Sequence, residues 1–330
     1  MTLSYAVLGT GAIGGYYGGR LSKSGCDVHF LLRSDYAHVN ANGIVVESVD
    51  GDFSLPDAKA YSDPVDMPPV DVVLVCLKTT HNQYLYDLLP PLKSDAVILT
   101  LQNGLAVESS IEERLKARMA SVPTIFGGLC FICANKVGPG HIRHIDYGRL
   151  MLGEHVPAVS SQFAPVERLK AIATDFNRAN VATDITHDLP MARWLKLVWN
   201  IPYNGLSVVL NATTEEMMAD SEVRALIVTL MREVVVIANA WGQANAKVSI
   251  QAEAEDRALS EDVIEQMIEH TETMPAYLTS MKLDFDQKRP LELESILGAP
   301  LQIAKSLGVS APTITMLQQQ LTFLNARNIQ

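Results

Sequence analysis

The sequence predicts an α/β domain built on a parallel sheet, followed by an all-α domain. Three observations carry that prediction. Short apolar runs alternate with helix-like segments through the first half, the pattern of strands joined by crossover helices. A glycine-rich turn, Gly9-Thr10-Gly11-Ala12-Ile13-Gly14, stands where the first strand gives way to the first helix. After about residue 187, long segments with 3.6-residue periodicity dominate. The boundary falls near Asp184–Pro190, giving domains over 1–187 and 188–330.

Taken in order, the strand candidates of the first half are Tyr5–Leu8, Val28–Leu32, Val72–Leu77, Val97–Leu101 and Val122–Phe126. Ala12–Ser24, His81–Leu89 and Ala106–Met119 read as the helices between them. Asp50-Gly51 separates Val45–Val49 from Phe53–Leu55, a strong hairpin signal that inserts a small antiparallel piece. From Gly138 to Gly153 the pattern suggests further antiparallel strands, and a helix near Pro165–Asn177 with a strand near Val181–Thr183 completes this half. The second half offers helices over Met191–Leu210, Val223–Trp241, Glu261–Thr273, Pro275–Gln287, Leu293–Leu307 and Thr313–Asn325. Their ends carry stop and start signals: Gly242, Ser260, Arg289-Pro290, Gly308 and Pro312.

Of 330 residues, 48% are hydrophobic and 19% charged, enough apolar material for a sizeable core. The formal net charge of −11 disfavours nucleic acid and anionic membrane surfaces as partners. It also means that an anionic substrate needs local cations at its site. No apolar run approaches the length of a membrane span, and no signal peptide precedes the glycine turn. Of the four cysteines, Cys26, Cys76, Cys130 and Cys133, three lie in runs that read as buried strands. Cys130 and Cys133 have CxxC spacing but no second pair or histidine cluster, so they read as structural thiols in a reduced cytoplasm, without zinc. His81, His141, His144, His187 and His270 show no metal spacing, and no metal is expected.

The glycine turn gains weight from its context of strand before, helix after, and next strand at the expected distance. Gly9 makes the tight turn, Gly11 lets the backbone approach a pyrophosphate, and Gly14 lets the helix pack on the sheet. The helix N-terminus offers its free N–H groups to the phosphates. This is a Rossmann-type dinucleotide site. The second strand then reaches Arg33, nineteen residues after Gly14, where an NAD site usually carries Asp or Glu for the ribose 2′-hydroxyl. A guanidinium there suits the 2′-phosphate of NADP(H). A solvated strand-end arginine is the bland reading, and Asp35 keeps NAD open.

Two polar clusters stand at the C-terminal ends of later strands, where open α/β sheets bind ligands: Lys78 in Leu77-Lys78-Thr79, and Asn103-Gly104. Lys78 suits cofactor ribose or substrate, and Asn103 suits nicotinamide or substrate; the alternatives are a surface lysine and a plain turn. In the first helix of the second half, Lys196, Asn200 and Asn204 fall at i, i+4 and i+8 and form one polar stripe on an otherwise apolar helix. Such groups need partners. A bridge to other helices would supply them, but a lysine in apolar surroundings is also suited to proton donation, and the two amides to substrate oxygens. Ser280 lies near the end of one predicted helix, and Glu292 begins the next, where a carboxylate also simply favours the helix dipole.

The whole pattern resembles the ketopantoate reductase (2-dehydropantoate 2-reductase) family along essentially the full chain. The residues that carry it are Gly9-x-Gly11-x-x-Gly14, Arg33, Leu77-Lys78-Thr79, Gln102-Asn103-Gly104, Lys196-x-x-x-Asn200-x-x-x-Asn204, and Ser280-Met281 followed by Glu292. The resemblance implies NADPH-dependent reduction of a 2-keto acid to a 2-hydroxy acid in pantothenate biosynthesis, at an active site in the cleft between the two domains. It implies Lys196 as the general acid, Asn200, Asn204 and Ser280 as substrate ligands, and Glu292 as a group that contacts cofactor and positions Lys196. Lys78 and Asn103 would hold cofactor, with Asn103 also near substrate. The chain departs from the family at Leu291-Glu292-Leu293-Glu294, where Thr-Glu-Ile-Asp is common, at Tyr277 where some members have Asn, at His81 where Gln is frequent, and at Pro202 within the key helix.

Two other readings are distinguishable. A two-domain dehydrogenase of another hydroxy acid, such as a 3-hydroxy acid, also places a lysine and an asparagine four apart but gives Ser280 and Glu292 no role. A non-catalytic NADP-binding sensor gives affinity without turnover. The long apolar helices of the second half leave room for a homodimer; the keto acid's identity and regulation are not written in the sequence.

Overall fold

The computed structural model describes residues 3–155, 164–245, 257–274 and 277–328. The chain forms two compact units, one of Met1–Gln102 and Val107–Leu189, the other of Asn103–Ala106 and Pro190–Gln330. The first is a Rossmann-type α/β unit and the second is helical.

The first unit runs β1 (Ser4–Leu8), α1 (Ala12–Lys23), β2 (Asp27–Leu31), α2 (Tyr36–Asn42), β3 (Ile44–Ser48), β4 (Phe53–Leu55), β5 (Lys59–Tyr61), β6 (Val70–Val75), a 3-10 segment (Thr79–Leu88), β7 (Leu92–Thr100), α3 (Val107–Lys116), β8 (Thr124–Gly138), β9 (His141–Glu154), α4 (Ala164–Arg178) and β10 (Thr183–Thr186). All ten strands join one sheet, in the order β4-β3-β9-β8-β7-β6-β1-β2-β5 with β10 beside β9. Strand β1 pairs in parallel with β2 on one side and β6 on the other. The winding therefore reverses at β1, and ligands of such sheets bind at the carboxyl ends of the strands where this happens. Every residue of β1 and β6 is buried, as strands covered on both faces require. The Asp50-Gly51 turn does make a hairpin: Val46 pairs antiparallel with Phe53, and Gly51 takes a φ of +99° that a side chain would resist.

Three departures from the sequence reading have physical causes. The segment expected as a helix over His81–Leu89 is a 3-10 helix, whose buried residues Asn82 and Leu85 stand three apart, one 3-10 turn. The strand expected over Val122–Phe126 is the start of the fifteen-residue β8. It runs through Gly127-Gly128 because neighbouring side chains close over both: a Cβ on Gly128 would lie 2.5 Å from Leu101 Cδ2, and one on Gly127 2.1 Å from Glu108 Oε1. The antiparallel pattern expected after Gly138 is the long β9, paired to β8 across register shifts near Phe131 and Cys133. All four cysteines are free thiols, with Cys130 and Cys133 buried in β8.

The second unit contains α5 (Leu189–Val209), all but its first residue, then α6 (Thr214–Ala219), α7 (Ser221–Ala244), α8 (Asp262–Thr273), α9 (Ser280–Asp286), a π turn (Glu294–Gly298), α10 (Ala299–Leu307) and α11 (Pro312–Asn328). Trp194, Leu197, Val198 and Ile201 of α5 share one core with Leu230, Met231 and Val234 of α7 and Leu317 and Leu321 of α11. Helix α11 is docked by a charge: the Glu233 carboxylate accepts from the first-turn N–H groups of Thr313 and Ile314, both at 2.9 Å. Helix α5 continues through Pro202 without a break.

Here too the helix ends differ from expectation. Helix α7 passes Gly242 and ends at Ala244; the glycine serves close approach, since a Cβ there would lie 2.0 Å from the Arg257 carbonyl oxygen. The helix expected over Pro275–Gln287 begins at Ser280, so Ser280 is its first residue and does not lie near its end; Pro275 and Ala276 lie outside the described residues. The cause is Thr279, an N-cap whose hydroxyl accepts from Lys282 N. The helix expected over Leu293–Leu307 opens with the π turn, immediately ahead of Pro300. A proline lacks the N–H and its ring presses on the carbonyl four residues back, which a locally widened turn relieves. No helix among the described residues is long and apolar enough to cross a membrane.

Candidate active site

In the first unit, the glycine turn is built at the carboxyl end of β1. Gly9 has a φ of +94°, and a Cβ on it would lie 2.8 Å from Leu77 N. A Cβ on Gly14 would lie 2.3 Å from Gly9 O. Gly11 differs from both: it is the N-cap of α1, makes no side-chain cap, and a Cβ on it would meet nothing within 4 Å. Thr10 Oγ1 donates to Leu31 O at 3.3 Å, tying the turn to the end of β2. Ala12 and Ile13 open α1, whose first turn carries no acid. Open space over Gly11, free first-turn N–H groups and the absence of acid fit a pyrophosphate.

Arg33 lies two residues beyond β2, is exposed, and makes no hydrogen bond or ion pair among the described residues. Asp35 is buried and fully engaged. It accepts from Lys136 Nζ at 2.6 Å, Gly140 N at 3.0 Å and Ser34 Oγ at 3.1 Å. Burial works to raise its pKa, but the Lys136 ammonium and the Gly140 N–H outweigh it and hold the carboxyl below its ordinary value.

Lys78 caps the 3-10 segment three residues after β6. Its loop is held by Gln102, a residue given no role in the sequence reading. The Gln102 amide is buried, donates from Nε2 to Leu77 O and Asn82 Oδ1, both at 2.7 Å, and accepts from Thr100 Oγ1 at 3.0 Å. A polar side chain immediately after an apolar strand was the available signal.

In the second unit, the Asn103–Ala106 segment is pinned by the helices. Gly104 has a φ of +104°, and its carbonyl accepts from the buried Arg193 at 3.1 Å. Leu105 N donates to Ser295 O at 2.8 Å. Thus held, Asn103 Oδ1 accepts from Lys196 Nζ at 2.8 Å. One and two turns along α5, Asn200 and Asn204 are 6% and 3% exposed. Asn204 Oδ1 accepts from Met281 N at 3.3 Å and lies 3.5 Å from Ser280 Oγ, so the stripe reaches the start of α9. The Asn200 side chain has no hydrogen bond among the described residues. Glu292 is buried just ahead of the π turn, and its carbonyl accepts from Ile296 N at 3.2 Å. Thr279, which the sequence reading passed over, joins Ser207 Oγ at 2.7 Å and anchors α9 to α5. The structure therefore brings together Lys196 with Asn103, and Asn204 with Ser280. Gly9, Gly11, Gly14, Arg33 and Lys78 belong to the other unit.

Two family models match this chain: ketopantoate reductase PanE/ApbA over residues 5–157, and the ketopantoate reductase PanE/ApbA C-terminal domain over 188–325. A 2-dehydropantoate 2-reductase from Nostoc sp. is 50% identical over 325 residues, 98% of this chain and 96% of that protein. The crystal structure of 2-dehydropantoate 2-reductase from Geobacter metallireducens GS-15 is 38% identical, with a TM-score of 0.86 over 97% of this chain and 99% of that one. That of 2-dehydropantoate 2-reductase from Methylococcus capsulatus is 30% identical, with a TM-score of 0.81 over 99% and 98%. The chain belongs to the ketopantoate reductase PanE/ApbA family.

Proposed function

We propose that this protein is an NADPH-dependent oxidoreductase that reduces a 2-keto acid, 2-dehydropantoate, to the 2-hydroxy acid pantoate in pantothenate biosynthesis. One observation carries the reading most: the Lys196 ammonium, on a largely apolar helix, is fixed at 2.8 Å from Asn103 Oδ1, on the stripe that bears Asn200 and Asn204. When bound, NADPH supplies the hydride. Everything else falls to side chains of this chain. Lys196 gives a proton to the carbonyl oxygen as it becomes an alkoxide, and its charge stabilises that oxygen. Asn103 orients the ammonium and lies at the nicotinamide end. Asn200, Asn204 and Ser280 bind the oxygens of the keto acid. Glu292 contacts cofactor and helps position Lys196. Gly9, Thr10, Gly11, Ala12, Ile13 and Gly14 hold the pyrophosphate, Arg33 the 2′-phosphate, and Lys78 the ribose side.

The reading divides the chain into a nucleotide-binding part over 1–187 and a catalytic helical part over 188–330. It places the enzyme in the cytoplasm, which suits four free thiols, and makes it a homodimer, for which exposed Met316 and Phe323 on α11 offer apolar surface.

The test is a panel of keto and hydroxy acids with both nicotinamide cofactors. NADPH oxidation is expected with 2-dehydropantoate, and Lys196→Ala is expected to lower kcat by roughly 10²-fold or more. Full activity of that variant, or turnover confined to a 3-hydroxy acid, refutes the assignment; NADP binding with no turnover at all makes the chain a sensor.

A further inference from the structure

We propose that Lys136 sets the preference for NADPH over NADH by neutralising and immobilising Asp35, an inference that rests on Arg33 reading the 2′-phosphate. Asp35 is two residues past Arg33, so its backbone lies at most about 7 Å along the chain from the cation that meets the phosphate. A carboxylate in that neighbourhood is what an NAD site uses to bind the ribose 2′-hydroxyl. Left mobile and ionised, Asp35 would serve NADH and repel the extra phosphate of NADPH.

The fold removes it from both tasks. Asp35 Oδ2 is taken by Lys136 Nζ at 2.6 Å and by Gly140 N at 3.0 Å, and Oδ1 by Ser34 Oγ at 3.1 Å. Lys136 lies near the end of β8 and Gly140 in the turn to β9, more than a hundred residues along the chain from Asp35. That turn is pressed against α2, the helix that Asp35 opens. A Cβ on Gly140, whose φ is +60°, would lie 2.9 Å from both Gly43 O and Val39 Cγ2, and Gly140 O accepts from Val45 N at 2.9 Å. The hairpin thus clamps the loop that carries Arg33, while Lys136 cancels the charge of the one acid in it. The Lys136 side chain is 35% exposed, so removing its charge empties no core.

Lys136 is a positioning residue in this scheme, and its signature is a selective change in cofactor KM. Steady-state kinetics with 2-dehydropantoate, at about pH 8 so that an unpaired Asp35 remains ionised, should show Lys136→Met raising the KM for NADPH roughly tenfold, the scale of one unscreened charge at this range. The KM for NADH should hold or fall, since a released Asp35 can meet the ribose 2′-hydroxyl, and kcat should hold. Lys136→Arg should restore the parent value. Asp35→Asn combined with Lys136→Met should recover most of the loss, because no uncompensated charge is left. The proposal is overturned if Lys136→Met moves both KM values alike or neither, or if its defect persists in the double variant. Lys136→Gln makes the same charge change and gives the same comparison if the methionine variant does not fold. Arg33→Ala separates the two levels: equal losses for NADPH and NADH in that variant refute the 2′-phosphate reading itself, whereas a selective NADPH loss there with no effect at Lys136 refutes only the clamp.

Discussion

Gly104→Ala tests how the second unit holds Asn103 at Lys196. At a φ of +104° an alanine is strained by about 1–2 kcal/mol. Its Cβ would also lie 2.4 Å from Ser295 O and 2.5 Å from Ser295 Cβ, too close for any real pair, so the segment must move. Moving it stretches the 2.8 Å bond from Leu105 N to Ser295 O and the 3.1 Å bond from Arg193 to Gly104 O. The first is an ordinary buried hydrogen bond, about 1 kcal/mol; the second has a charged donor, about 1.5–3 kcal/mol. With partial relaxation the loss should be about 3–5 kcal/mol. Equilibrium urea unfolding followed by far-ultraviolet circular dichroism measures it, and kcat should fall roughly tenfold or more as Asn103 leaves its place beside the ammonium. A stability within about 1 kcal/mol of the parent, together with an unchanged kcat, would show that Ser295 and Arg193 do not fix this segment.

Asn200→Ala removes a buried amide that has no hydrogen bond among the described residues, so stability should change by less than about 1 kcal/mol while the KM for the keto acid rises about tenfold; a large stability loss with unchanged KM would make Asn200 structural. Acid sensitivity has a defined window. Burial, first among the causes, depresses the pKa of His29 and of His144 in the folded state. The unfolded chain then takes up protons at about pH 6.5 that the folded one refuses. Their contribution is whole above that pH and lost as pH falls toward the folded values, so the urea midpoint should drop between pH 7 and pH 5, before Asp35 and Asp71, both with depressed pKa values, begin to titrate. A flat midpoint across that interval would contradict the burial of the two imidazoles.

The parts of this protein that rest on local periodicity were legible in the sequence. The glycine turn, the apolar runs of the parallel sheet and the stripe of Lys196, Asn200 and Asn204 each declare themselves through spacing within one element. What stayed hidden depends on partners distant in the chain. Gly127 and Gly128 lie past the strand expected over Val122–Phe126, yet Glu108 and Leu101 close over them and β8 runs on. Gly242 read as a stop, yet it is a notch for the Arg257 backbone. Asp35 read as a rival to Arg33 for the ribose, and only the β8–β9 turn reveals that it is occupied. Ser280 is the local exception: apolar spacing puts it inside a helix, while a threonine hydroxyl one residue earlier decides where that helix starts.

The hydrogen-bond directions at the polar stripe bear on which ligand suits it. Met281 N can only donate, so the Asn204 atom facing it at 3.3 Å must be the carbonyl oxygen. The acceptor of that amide is therefore spent on the start of α9, and its Nδ2 has no acceptor among the described residues. Lys196 is donor-only by chemistry, and Asn103 turns its oxygen toward it. What α5 presents is thus weighted toward donors and carries a positive charge. Such a set favours a ligand rich in oxygen and negative in charge, and it does so on a chain whose formal net charge is −11. A 2-keto acid meets that demand with a carboxylate and an adjacent carbonyl. A neutral carbonyl compound offers one acceptor oxygen where the keto acid offers three, so fewer of these donors are met, and each buried amide donor left without an acceptor costs about 1–3 kcal/mol. Discrimination against such compounds should then rest on these donors.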